Sequence, residues 1–190
     1  MTTSFPQRAL IVAHGQPTDP APAEADLARL AAAVAAHLPN WQVTSATLAD
    51  PAALARAVTG ARGLVYPMFM TGGWFTATHL PDRLAKVGGA AWHILAPFGL
   101  DQKVQALAVD IAKEATLGQS SPQVLLAAHG SFRSSAPAEV AYEMVLRCSR
   151  LALNKPVQGL LTNPHALPKL LQALAPTPFV CHSSRQMAAM

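Results

Sequence analysis

The chain of 190 residues is long enough for one sizeable hydrophobic core, or for two small α/β halves that share an interface. Hydrophobic residues make up 51% of the sequence and charged residues 13%, which is typical of a globular protein and excludes a disordered one. The net charge of +4 comes from scattered basic residues, with no basic run and no interleaved aromatic residues, so we expect no nucleic-acid partner.

The start of the chain, MTTSFPQRALIVAHG, has one Arg before a short apolar run. Because this run ends in His-Gly and not in a small-residue cleavage site, it is predicted to be a buried strand and not a signal peptide. No apolar run approaches the roughly 20 residues that a transmembrane helix needs, so no membrane partner is expected. The two cysteines, Cys148 and Cys181, form neither a metal-type pair nor a disulfide scaffold. These features predict a cytoplasmic protein.

Short apolar runs alternate with amphipathic stretches along the first part of the chain, which predicts βα units around a parallel sheet. The predicted strands cover residues 9–13, 43–48, 64–70 and 92–96. The predicted helices cover residues 23–38, 51–58 behind an N-cap at Asp50, a stretch from the Gly72-Gly73 turn to residue 87, and 101–115.

The pattern then restarts, because ALIVAHGQ near the start matches VLLAAHGS at residues 124–131. Pro51 of LADPAAL follows His14 by 37 residues, and Pro164 of LTNPHAL follows His129 by 35. The second copy has predicted strands at 124–128, 157–161 and 178–181 and predicted helices at 136–153 and 164–174. We therefore predict two duplicated halves, residues 1–117 and a shortened 122–190, separated by the segment LGQSSP.

His14 is the first candidate functional residue. It follows the first predicted strand, and ligands of parallel α/β sheets bind at the carboxyl ends of the strands. Gly15 permits a tight turn and the close approach of a ligand to the backbone. His129 has the same setting in the second half, where a functional role and a residue retained after its role was lost both remain open.

His79 is the second candidate. In VYPMFMTGGWFTATHLP the third strand breaks at a Gly-Gly pair and resumes as a helix that carries Trp74, Phe75 and His79. Strands one and three are usually adjacent in this topology, so we expect His14 and His79 to face one cleft. Neutral imidazoles bind divalent first-row metals and take up protons near neutral pH. A surface or capping role for His79 stays open.

The other four histidines are expected to be structural. His37 ends a helix, where it favours the dipole, and His93 lies inside a strand. His165 lies in the first turn of a predicted helix, and His182 follows the last strand.

The segments ALIVAHGQPTDP, VYPMFM with its Gly-Gly turn and THLP, and VLLAAHGS resemble the class II tetrapyrrole metal chelatases of the CbiX/SirB type. The resemblance covers about the first 115 residues well and the second half more loosely. It implies an α/β, chelatase-like fold of two flavodoxin-like parallel-sheet halves with helices on both faces. The halves lie in one chain or in a dimer of single halves, which leaves open a homodimer that completes the short second half.

The resemblance also implies ATP-independent insertion of a divalent metal into sirohydrochlorin or a related tetrapyrrole, in cobalamin or siroheme biosynthesis. The metal, Co²⁺ or Fe²⁺, is then a substrate, and no nucleotide takes part. His14 matches the family's first catalytic histidine, which binds the metal and accepts pyrrole protons. His79 or His129 would be the second metal-binding group, and Arg133 would meet the carboxylates of the macrocycle.

The sequence departs from the family at two places. The family motif Phe-Leu-x-x-Gly-x-His-x-x-x-Asp-Ile-Pro, laid on residues 69–81, puts Phe75 at the ligand histidine and His79 at the aspartate. Because positions i and i+4 share a helix face, His79 can take over as ligand with the metal moved by up to about 5 Å. Near the end of the second strand, where the family has a glutamate, only Asp50 is acidic.

Two other functions compete with a chelatase. A non-catalytic relative that binds a tetrapyrrole or a metal is favoured by Phe75 and by the short second half. A histidine phosphatase is suggested by AHGQPT, but Ala13 stands where that family needs an arginine to clamp the phosphate.

Overall fold

The computed structural model of the chain describes residues 7–120, 124–129, 135–149, 157–161 and 179–182. The chain divides into two compact units between Phe98 and Gly99. Every strand pair in both units is parallel, so the predicted α/β class with parallel sheets is confirmed. Among the described helices, none combines the length and the apolar character needed to cross a membrane.

The first unit is a four-stranded parallel sheet in the order β2-β1-β3-β4. Its strands are β1 Gln7–Ala13, β2 Trp41–Thr47, β3 Leu64–Pro67 and β4 His93–Ile94. Its helices are α1 Pro20–His37, α2 Ala53–Ala57 and α3 Leu80–Lys86, with a π-helical turn at Phe75–His79 directly before α3. The predicted adjacency of the first and third strands is confirmed, because β1 pairs with both β2 and β3.

Helices cover both faces of the first sheet, which explains the unbroken apolar run of β1. Ile11 packs with Leu27 and Ala31 of α1 on one face. The neighbouring residues Leu10 and Val12 point to the other face, because side chains alternate along a strand. There they join a second core cluster that includes Leu54 of α2, Leu80 and Leu84 of α3, Val65 of β3, and Trp92 directly before β4.

The start of α2 differs from the prediction. The sequence predicted a helix from Pro51 with Asp50 as its N-cap, whereas α2 begins at Ala53 with Ala52 at the N-cap position. The Asp50 carboxylate still accepts a hydrogen bond from the Ala52 N–H at 2.8 Å, which is the bond that a capping side chain makes, and it pairs with Arg56. The Arg56 guanidinium and, after it, this backbone bond hold the pKa of Asp50 below its ordinary value.

The second unit contains a three-stranded parallel sheet in the order β6-β5-β7. Its elements are α4 Gln102–Ala115, β5 Val124–His129, α5 Ala136–Ser149, β6 Val157–Leu161 and β7 Phe179–His182. The Asp101 carboxylate caps α4 by accepting the Lys103 N–H at 2.8 Å, and Val109, Ala112, Val124 and Cys148 form a core cluster.

Helix α4 belongs to the second compact unit, because the division of the chain falls before it at Phe98. The boundary between the two compact units therefore lies before the segment LGQSSP, which separates the two copies of the repeat in the sequence. The two duplicated halves, 1–117 and 122–190, stay a prediction about the repeat. The predicted helix at 164–174 lies outside the described residues.

Candidate active site

Two chain segments leave the same edge of the first sheet. Strands β1 and β3 are parallel neighbours in register Val12 to Pro67, so the residues that follow them emerge at one carboxyl edge. His14 comes directly after β1, and the segment after β3 leads to the turn that carries Phe75 and His79. This edge is where parallel α/β sheets bind their ligands.

The ring of Phe75 contacts both histidines of this edge. Its centroid lies 4.6 Å from that of His14, with the rings at 69°, and 5.5 Å from that of His79, with the rings at 89°. The structure therefore brings His14 and His79 into contact with the same aromatic ring. Their functional role stays a prediction.

Gly15 shapes the turn that carries His14. Its φ is 74°, a conformation that side chains other than glycine rarely adopt. A Cβ at this position would also lie 2.6 Å from Cβ of Thr47 and 2.8 Å from Cβ of Ala49. The tight turn predicted at Gly15 is present, and the group that approaches its backbone closely is the end of β2.

One hydrogen bond orients the His14 imidazole. Its Nδ1 lies 3.0 Å from the carbonyl oxygen of Gly15, and the side chain is exposed. Because a carbonyl oxygen only accepts, Nδ1 must carry the proton. In the neutral ring the lone pair is then on Nε2, which is the arrangement of histidines that bind metals.

The helix predicted from the Gly-Gly turn begins with a π-helical turn. The N–H of Leu80 bonds to the carbonyl of Phe75, five residues back. Trp74 and His79 are also five residues apart, and their rings stack with centroids 4.7 Å apart at 25°. In an α-helix these two positions would point about 140° apart, so the stack depends on the π turn.

The surroundings of His79 favour its neutral form. Burial lowers the pKa of His79 most, and the positive charge of Arg83 lowers it next; Asp82 opposes this effect, and smaller lowering effects come from His14 and Lys86. A neutral imidazole keeps a lone pair for a metal ion, because protonation and metal binding compete for the same nitrogen.

Two further aromatic side chains contact Phe75 at this edge. Phe69 stacks on Phe75 with centroids 6.1 Å apart, and Trp74 meets Phe75 edge-on at 5.0 Å. Trp74 keeps 40% of its surface exposed. The two histidines thus lie among flat apolar rings, a surface suited to a planar ligand.

A carboxylate that the sequence analysis missed lies at the end of β2. Oε1 of Glu24 accepts hydrogen bonds from the backbone N–H of Thr47 at 2.7 Å and from its hydroxyl at 2.6 Å, and Thr47 is fully buried. The helical spacing of the sequence could have indicated this contact. Glu24 precedes the core residues Leu27 and Ala31 by three and seven positions, so it lies on the face of α1 that packs on the sheet. The family resemblance pointed to an acidic residue on the strand itself, whereas this carboxylate comes from α1.

The other candidate residues belong to other elements of the chain. His129 is the last residue of β5, paired in register with Leu161, and its role as a ligand stays a prediction. Arg133 and His165 lie outside the described residues. His37 ends α1 as predicted, the exposed His93 begins β4, and His182 is the last residue of β7. Within the described part of the chain, no three or more His, Cys, Asp or Glu side chains form a metal-binding group.

Comparison with known proteins gives one decisive match. No family model matches the sequence, and no curated protein matches it either. A solved structure of CbiX, the terminal enzyme of siroheme biosynthesis in denitrifying bacteria, superposes with a TM-score of 0.81 and 36% identity, covering 93% of this chain and 78% of that one. The chain belongs to the CbiX family of chelatases.

A second solved structure shares the fold. It is a multi-domain protein from Deinococcus radiodurans with structural similarity to chelatases, and it matches with a TM-score of 0.60 and 20% identity over 93% of this chain and 51% of that one. At this identity the match supports the fold alone. Together the two matches confirm the chelatase-like fold that the sequence predicted.

Proposed function

We propose that this CbiX-family chain inserts a divalent metal ion, Co²⁺ or Fe²⁺, into sirohydrochlorin or a related tetrapyrrole, without a nucleotide. The observation that carries the proposal is the pair His14 and His79 at the carboxyl edge of β1 and β3, both in contact with Phe75. Membership of a family that includes the terminal enzyme of siroheme biosynthesis supports it.

The two imidazoles would receive the metal substrate. His14 offers Nε2, because its Nδ1 is committed to the Gly15 carbonyl. His79 is held in its neutral form by a lowered pKa. Imidazole ligands suit Co²⁺ and Fe²⁺ alike, so the donor set agrees with both metals. A metal-binding role for His129 rests on the sequence resemblance alone and stays a prediction.

The same two imidazoles can accept the protons that the reaction releases. Insertion of a divalent ion into the macrocycle forms four metal–nitrogen bonds and releases two pyrrole protons. As the ion moves from the protein to the macrocycle, the imidazole nitrogens that held it recover their lone pairs. His14 and His79 can then accept one proton each and pass it to water.

The surroundings of the site suit a flat polyanion. Trp74 and Phe75 offer aromatic surface beside the histidines. Arg83 and Lys86 of α3 lie close enough to His79 to lower its pKa, so positive charge is present near this imidazole. Cationic side chains at that distance would attract the carboxylates on the rim of a tetrapyrrole.

The test compares metal insertion by the wild type, by His14→Ala and by buffer alone, followed through the absorbance of the tetrapyrrole. His93→Ala is the matched control, because His93 is exposed at the opposite, amino end of the sheet. We expect the wild type and the control to accelerate insertion and His14→Ala to lose at least about 100-fold in rate. Equal rates for His14→Ala and the wild type would overturn the assignment.

A non-catalytic carrier of metal or tetrapyrrole is the second candidate function. The observation that favours it is Phe75, whose ring occupies the place of the family's ligand histidine and contacts both imidazoles. A carrier would bind Co²⁺ or a porphyrinoid in a titration while the wild type inserts the metal no faster than buffer. A chelatase accelerates insertion under the same conditions, so one assay separates the two functions.

A further inference from the structure

The stack of Trp74 on His79 coincides with an irregular turn of the backbone. The two rings lie 4.7 Å apart at an angle of 25°, which is a face-to-face contact. Residues five apart do not meet on a regular α-helix, and only the π turn at Phe75–His79 brings them over one another. Such turns are rare in proteins, and many of those that occur lie at functional sites.

A free imidazole of a surface helix samples several orientations about its side-chain torsions. An indole stacked on its face removes most of that freedom, because tilting the imidazole would break the ring contact. Phe75 restricts the His79 imidazole further, since its ring meets that of His79 edge-on at a centroid distance of 5.5 Å and that of Trp74 edge-on at 5.0 Å. The plane of His79 is therefore fixed by two aromatic neighbours.

We propose that Trp74 is a positioning residue that fixes the imidazole plane of His79 for the metal substrate. This inference rests on the proposed function, in which His79 binds the metal. Metal-binding histidines are usually oriented by a hydrogen bond from their second nitrogen to a carboxylate or carbonyl. Here an aromatic stack supplies the orientation. The imidazole of His79 then loses little conformational freedom when the ion binds, which favours binding.

The placement of the tryptophans makes the proposal measurable. Trp41 begins β2, and Trp92 is buried just before β4, so both lie at the amino end of the first sheet. Trp74 alone among the three follows β3 at the carboxyl edge with the histidines. A paramagnetic ion such as Co²⁺ held by His79 would quench the indole stacked on that ring and leave the other two largely unaffected.

The experiment uses Co²⁺ alone as the probe and measures its affinity by calorimetry. Trp74→Leu keeps apolar bulk and removes the flat ring, whereas Trp74→Phe keeps a ring that can stack. We expect Trp74→Leu to weaken Co²⁺ binding about tenfold and Trp74→Phe to stay within about threefold of the wild type. If Trp74 had a purely structural role, the two variants would bind Co²⁺ with similar affinity.

Fluorescence of the folded protein gives a second, independent measurement. Co²⁺ is expected to quench the wild type and the control Trp41→Phe, but not Trp74→Phe or His79→Ala. If Trp74→Leu binds Co²⁺ as tightly as the wild type while His79→Ala loses binding, the inference about Trp74 is wrong and the proposed site survives. If His79→Ala also binds Co²⁺ as tightly as the wild type, the ligand role of His79 is wrong and the inference fails with it.

Discussion

Phe75 meets His14 edge-on, with ring centroids 4.6 Å apart. This contact places a phenyl ring at the position where the family motif has a ligand histidine. The contact also shows that a side chain at position 75 reaches the imidazole of His14. A nitrogen donor at that position would therefore lie within the proposed site.

Phe75→His is expected to tighten Co²⁺ binding by at least about tenfold, because it adds a third imidazole at a position that contacts both His14 and His79. Phe75→Leu is the matched control, since it changes the ring without adding a donor. Calorimetric titration with Co²⁺ measures both. Equal affinities for Phe75→His and Phe75→Leu would show that position 75 does not face the metal.

The charge of Arg83 is expected to set the pH range of His79. Arg83 is the largest electrostatic contribution that lowers the pKa of His79, after burial. Arg83→Gln should therefore raise that pKa toward its ordinary value of 6.5. The shift is read from the pH titration of the His79 ring proton by NMR, with Lys103→Gln on the exposed start of α4 as the control.

The same pKa shift predicts a pH dependence of folding. The folded protein disfavours protonated His79, so the unfolded chain binds more protons once the pH falls below 6.5. Stability should then decrease as the pH falls from 6.5 through the folded pKa, and this loss should be smaller in Arg83→Gln. An unchanged loss in Arg83→Gln would contradict the electrostatic origin of the shift.

Gly15→Ala is expected to destabilise the protein more than Gly88→Ala. Both glycines have positive φ, 74° and 82°, so both substitutions carry the same backbone strain of about 1 kcal/mol. A Cβ at Gly15 would also lie 2.6 Å from Thr47, whereas a Cβ at Gly88 would meet nothing within 4 Å. Denaturant unfolding of the two variants should show the difference, and equal losses would contradict the close approach of β2 to the His14 turn.

Glu24→Ala is expected to cost about 1–3 kcal/mol of unfolding free energy, because it leaves the buried hydroxyl and N–H of Thr47 without their shared acceptor. The control is Asp26→Ala, which removes an exposed ion pair with Arg29 on the same helix and should cost little. Urea unfolding measures both. A cost for Glu24→Ala no larger than that for Asp26→Ala would mean that the carboxylate does not fasten α1 to β2.

The sequence predicted those features that follow from periodicity and topology. The apolar run of β1, the adjacency of β1 and β3 and the place of His14 at a strand end all depend on local pattern and on the rules of parallel sheets. These rules also placed His14 and His79 at one edge.

The features that the sequence did not predict depend on single contacts in space. The π turn inserts an extra residue per turn between Phe75 and Leu80, and no hydrophobic period marks it. Glu24 reaches the end of β2 from α1, so an expectation tied to the strand itself missed it. The regular helix α2 begins at Ala53, two residues later than predicted, although Asp50 makes a capping bond to the Ala52 N–H and pairs with Arg56.

The most direct test is a crystal structure of the protein soaked with Co²⁺, with the ion located by its anomalous scattering. We expect the ion within about 2.1 Å of Nε2 of His14, with an imidazole nitrogen of His79 in the same coordination shell. A well-ordered ion that touches neither His14 nor His79 would contradict the account.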